Sequence, residues 1–120
     1  MIKKDTILKK KYNLFKNASY AFSGLKFLIK ERAFQLELLF VIPLLILLFF
    51  LNLTPIQKSL MAASLIIILI TEALNTAIES VVDLVTNEWK FLAKRAKDIA
   101  SAAVFLSLIQ AALIWIINLI

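Results

Sequence analysis

Glu72-Ala73-Leu74-Asn75-Thr76-Ala77-Ile78-Glu79-Ser80-Val81-Val82-Asp83 puts four polar side chains along one side of a helix in an otherwise apolar chain. At roughly 100° per residue, Glu72, Asn75, Glu79 and Asp83 fall within a stripe about 80° wide. The thirteen residues from Ser59 to Thr71, which lead into it, carry no charge. Ionisable groups at or just inside a bilayer boundary are costly, so they mark sites for ions, protons or substrate. The stripe is therefore the candidate functional face of a membrane helix.

Working outward from it, the helix runs back to Pro55 and forward to about Asp83. Asn52-Leu53-Thr54-Pro55 is a turn signal, with Thr54 as N-cap and Pro55 at the first helical position. From Lys58, Glu72 lies about 21 Å along the helix and Glu79 about 32 Å. With Lys58 at one interface, Glu72 is still within the bilayer and Glu79 is near the opposite surface. The stripe thus begins in lipid and ends in water. A reaction between a lipid and a water-soluble partner needs that placement.

Two further uncharged runs flank this helix. Leu38 to Gln57 holds no charge, and Leu38 to Leu51 is apolar throughout apart from the helix-perturbing Pro43. Ile99 to Ile120 is uncharged over 22 residues, long enough to span a hydrocarbon core of about 30 Å. Between the second and third runs, 84–98 is a polar segment with Lys90, Lys94, Arg95 and Lys97. Ahead of the first, Phe15, Ala18, Phe22, Leu25 and Ile29 recur at intervals of three and four beside Lys16, Ser19, Ser23, Lys26 and Lys30. That pattern predicts an amphipathic helix over 12–30 lying in the membrane surface. Residues 1–11 are lysine-rich and read as poorly ordered. The expected fold is all-α and integral to the membrane: a surface helix and three transmembrane helices over 36–53, 55–83 and 99–120, in one domain.

Composition agrees. Of 120 residues 62% are hydrophobic, well above the roughly 45–50% of a soluble domain. The net charge is +6, yet nine of the fourteen basic residues precede residue 33, which suits anionic lipid headgroups better than nucleic acid. The positive-inside rule then sets the N-terminus and the 84–98 segment in the cytoplasm and the C-terminus outside. No cysteine and no histidine occur, which removes thiol and Ser-His-Asp catalysis and the usual zinc sites. Gly24 stands alone, so neither a Walker loop nor a dinucleotide fingerprint is available. What remains is carboxylate, amide, hydroxyl, lysine and arginine chemistry, to which a magnesium ion held by carboxylates is suited.

The stripe, together with Arg95-Ala96-Lys97-Asp98-Ile99-Ala100-Ser101-Ala102-Ala103-Val104, closely resembles the prokaryotic diacylglycerol kinase family. Upstream, Ala18-Ser19-Tyr20-Ala21-Phe22-Ser23-Gly24-Leu25 and Glu31-Arg32-Ala33-Phe34-Gln35-Leu36-Glu37 match it too. The resemblance implies a small membrane kinase, assembled as a homotrimer with shared active sites, that moves the γ-phosphoryl of MgATP to diacylglycerol. Close relatives use undecaprenol instead. By motif position it implies Glu72 as general base, Asn75 as an orienting residue, and Glu31 and Glu79 as magnesium ligands. It implies Tyr20, Glu88, Lys97 and Asp98 as nucleotide contacts, with Lys90 able to meet a phosphate. Ser101 and Glu37 fall on the lipid-substrate side. The chain departs from the family's usual pattern at Lys90, Phe50, Lys58 and Asn13, where histidine, tryptophan, arginine and arginine are common.

The residues alone leave blander readings open. A polar membrane stripe can pair with another subunit, giving a non-catalytic membrane protein, and the Lys94–Lys97 run can be a topology signal only. Tyr20 and Trp89 can be interface anchors. Ala103, Ser107 and Ala111, like Ala73 and Ala77, permit close helix approach and read as assembly surfaces.

Overall fold

The computed structural model describes residues 13–120; the lysine-rich start and Tyr12 lie outside the described residues. Four helices follow one another: α1 (Leu14–Ile29), α2 (Arg32–Leu47), α3 (Pro55–Val85) and α4 (Phe91–Leu119). No strand occurs among the described residues.

Local chemistry explains each start. Asn13 caps α1, its side-chain oxygen accepting from the Lys16 N–H at 3.2 Å. Thr54 caps α3 as expected, and the cap is reciprocal: the Gln57 N–H donates to the Thr54 hydroxyl, and the Thr54 N–H donates to the Gln57 side chain. Pro55 follows at the first helical position, where a missing N–H costs nothing. In α2, Pro43 sits inside the helix and cannot donate to the Leu39 carbonyl. The α2 helix proper ends at Leu47 and tightens into turns in which Phe49 and Phe50 donate to Ile46 and Leu47. The first apolar run is therefore helical from Arg32, ahead of the uncharged stretch, and gives out before its end.

At its other end, α4 differs from the sequence expectation in the same sense. Lys94, Arg95, Lys97 and Asp98 do not interrupt it, because they lie on solvent-facing first turns, and helix begins at Phe91. The connection between α3 and α4 shrinks to 86–90, which makes the two an antiparallel hairpin.

That hairpin is the main packing unit. On α4 the buried positions are Ala100, Ser107 and Ala111, with half-buried Val104 completing one stripe. Small side chains there let the backbones approach, and polar groups then bridge them. The Thr71 hydroxyl donates to the Ser107 hydroxyl at 2.9 Å. The Gln110 amide donates to the Ser64 carbonyl at 2.8 Å, and the Trp115 indole to the Met61 carbonyl at 3.2 Å. Ala103 is exposed on the outer face and Ala77 faces the α1 side. The apolar core is small: Val41, Leu65, Ile68 and Ala111, with Leu44, Leu45, Leu69 and Trp115 against it.

Outside that core the surface is greasy. Phe105, Leu113, Ile116 and Ile117 on α4 are all more than half exposed. Two helices, α3 and α4, are long and apolar enough to cross a membrane. Exposed apolar area on this scale belongs against lipid or another chain rather than water.

Candidate active site

The stripe on α3 grades from dry to wet, as its register along the helix requires. Glu72 and Asn75 are buried, Glu79 is half-buried and Asp83 is exposed. Asn75 is nearly in line with Ser64 and Thr71, which contact α4; Glu72 and Glu79 are turned further round the helix, and Asp83 at the wet end reaches Lys97 of α4. Across from them, α2 contributes Glu37, which is only 7% exposed. The Glu37 and Glu72 carboxylates lie within electrostatic reach of each other. So do Glu72 and both Glu79 and Glu31. Glu31 is exposed at the N-cap of α2, where the chain turns out of α1. Four carboxylates from two helices and one junction therefore converge on one side of α3.

Their hydrogen bonding is incomplete. The Asn75 amide donates to Glu79 Oε1 at 3.2 Å, but the buried Asn75 Oδ1 has no partner. Nor does the buried Glu37 Oε2. A buried polar atom without a partner costs about 1–3 kcal/mol, so such atoms are rare unless something else completes them. Beside this face, α1 and α3 enclose a cleft of about 590 Å³ whose lining includes Gly24, Leu28, Glu31, Ala73, Thr76 and Ser80. Its walls are mainly apolar, with Glu31 and two hydroxyls as the polar exceptions.

A second cleft, of about 370 Å³, opens at the end of the hairpin. Asp83, Glu88, Lys90, Lys94, Lys97 and Asp98 all line it. Every lysine in it is paired: Lys90 with Glu88 at 3.6 Å, Lys94 with Asp98, and Lys97 with Asp83 at 2.7 Å. Glu79 also acts electrostatically on Lys97, which ties this cleft to the carboxylate face below it.

The sequence-predicted residues thus divide into two groups. Glu31, Glu37, Glu72, Asn75 and Glu79 come together on the α2–α3 side. Glu88, Lys90, Lys97 and Asp98 come together at the hairpin end. Tyr20 is exposed on α1, and Ser101 is exposed on α4, about level with Thr76 given the antiparallel register. Neither has a side-chain hydrogen bond to the other site residues. Asp83 was legible as a member of the stripe but not as the partner of Lys97. Asn87 and Trp89 line the hairpin cleft as well, a position that only the closure of the α3–α4 loop reveals. No group of three or more acidic residues among the described residues is drawn together closely enough to hold a metal unaided.

Buried acids below an ion-paired cleft, in a bundle with an apolar outer surface, put the protein in the class of small all-helical membrane proteins. Comparison with known proteins narrows this. Residues 19–119 match the model of the prokaryotic diacylglycerol kinase family. The diacylglycerol kinase of Escherichia coli K12 is 37% identical over 107 residues, covering 88% of each chain. That of Haemophilus influenzae is 38% identical over 104 residues, 86% of this chain and 88% of its own. The Helicobacter pylori diacylglycerol kinase is 35% identical over 103 residues, 85% of this chain and 80% of its own. The chain belongs to the prokaryotic diacylglycerol kinase family. It is accordingly a membrane enzyme, a kinase, and its cosubstrate is a nucleotide.

Proposed function

We propose that the protein transfers the γ-phosphoryl group of ATP to the hydroxyl of diacylglycerol, giving phosphatidic acid and ADP. The reading carries further details: a bacterial inner-membrane enzyme of one domain, with α1 on the cytoplasmic surface and spans over 36–53, 55–83 and 99–120. Its N-terminus is cytoplasmic, its C-terminus outside, and it works as a homotrimer. The observation that carries the reaction is the burial of Glu72 beside Glu37 and Asn75, about three turns below the lysine-lined cleft. From Glu72 the stripe runs about 10 Å along the helix to Glu79, which suits a reacting hydroxyl and γ-phosphate beside Glu72 with the rest of the phosphate chain leading past Glu79 towards the cleft.

Phosphoryl transfer needs a positioned hydroxyl, a base and charge compensation more than covalent work. The lipid hydroxyl oxygen forms the new bond to the γ-phosphorus while the bond to the β-bridging oxygen breaks and ADP leaves. Glu72 takes the hydroxyl proton. It is the one carboxylate on α3 that is buried, which favours a lipid hydroxyl beside it over competing water. Glu37 Oε2 and Asn75 Oδ1, both lacking partners, are acceptors for donor groups ordered around the transfer. Lys97, Lys90 and Lys94 bring ammonium groups to the phosphates, and Glu88 and Asp98 offer acceptors to the base and sugar. Tyr20 from α1 and Ser101 from α4 complete the nucleotide and lipid sides.

Magnesium suits this donor set. It is usually bound by one or two carboxylates with substrate phosphates rather than by an all-protein cage, and Glu79 and Glu31 are such a pair. The unpartnered Asn75 oxygen beside Glu79 agrees with an oxygen-seeking cation there. When bound, the ion offsets the charge of the β- and γ-phosphates.

The test is MgATP-dependent phosphorylation in mixed micelles, with dioleoylglycerol and undecaprenol supplied separately. Phosphatidic acid as the main product is the expected result. Undecaprenyl phosphate in its place would reassign the acceptor, and no product from either lipid in folded protein would overturn the catalytic reading.

A further inference from the structure

Asp83 has no part in the chemistry above, yet it accepts an ion-paired hydrogen bond from α4 at the hairpin end. Its Oδ1 lies 2.7 Å from the Lys97 ammonium. Of the three ion pairs among the described residues, this is the one that joins two helices. Lys90 pairs two residues away within the 86–90 connection and Lys94 pairs one turn along its own helix, so both pairs are local in sequence. The Asp83–Lys97 pair exists only because α3 and α4 meet in this register.

Resting on the reading of the hairpin cleft as the nucleotide site, we infer that Asp83 is a positioning residue that holds Lys97 ready for the nucleotide phosphates. A free lysine has a long stem with many rotamers, and ordering it at the moment of binding weakens affinity. Asp83 orders it beforehand. An ammonium group has three N–H donors, and Asp83 Oδ1 engages one, so two remain for phosphate oxygens. The pair need not break for the nucleotide to bind. Glu79 adds its field from the same side, which keeps the ammonium at the junction between the cleft and the carboxylate face.

Exposed ion pairs are weak, and the expected effect is correspondingly moderate. Asp83→Asn keeps the shape and removes the charge. It should raise the KM for MgATP roughly three- to five-fold with kcat changed by less than about two-fold. Asp83→Glu, which retains a carboxylate, should stay close to wild type. In a Lys97→Gln background, Asp83→Asn should have no further effect on KM, because its target is gone. An unchanged KM in Asp83→Asn would overturn the role of Asp83. So would the same fold-change in both backgrounds, or an Asp83→Glu as weak as the asparagine. If Lys97→Gln itself leaves KM unchanged, the nucleotide reading of the cleft falls and this role falls with it.

Discussion

The two polar regions of this molecule solve opposite problems. At the hairpin end, six charged side chains are arranged as three ion pairs in contact with water, and the charges of the cleft cancel. About three turns lower, among the described residues, acids gather without basic partners. Glu37, Glu72 and Asn75 are buried, none of the ion pairs among the described residues includes them, and two of their oxygens have no hydrogen bond. The upper region is satisfied without ligand and can exchange its partners cheaply. The lower one is left incomplete, at a cost to stability that a purely structural design would avoid. That contrast separates binding from chemistry: affinity for the nucleotide resides above, and turnover resides below.

The largest expected effect breaks the lower region. Glu72→Gln is nearly isosteric but cannot accept a proton. It should reduce kcat by about 10²- to 10⁴-fold while leaving the KM for MgATP almost unchanged. In the upper region, Lys97→Gln comes next. It should raise the KM for MgATP by about five- to tenfold and spare the lipid KM. Glu37→Gln, in the lower region, follows. It should raise the KM for the lipid about five-fold, as weakening a buried acceptor does, with little change towards MgATP. The smallest effect lies outside both regions. Thr54→Ala removes half of the reciprocal cap of α3 and should lower stability by about 0.5–2 kcal/mol, read by denaturant titration in micelles, with activity per folded molecule unchanged. Lipid and nucleotide titrations on each variant score all three site predictions.

Much of this division could be read from residue spacing, because helix geometry is rigid. Glu72, Asn75 and Glu79 share a face whatever packs against them, and Thr54-Pro55 starts a helix by local chemistry alone. The resemblance then assigned roles that spacing could not. Other features had no local signal. The helical start at Phe91 was hidden because charges at Lys94 and Lys97 look like loop when the α3 packing that they flank is out of view. The pairing of Lys97 with Asp83 spans fourteen residues and depends on the α3–α4 register, which the small residues Ser107 and Ala111 set from further along the helix. The missing partners of Glu37 and Asn75 could not be foreseen at all, since satisfaction is a property of the packed bundle.

The most direct test of the division is made on one preparation of Glu72→Gln in mixed micelles with dioleoylglycerol. MgATP binding and phosphatidic acid formation are measured side by side with the wild type. Binding within about two-fold of wild type, with product formation lower by at least about 100-fold, is the predicted result. Substantial turnover in the variant would contradict it, and so would a loss of MgATP binding that accounts for the lost activity.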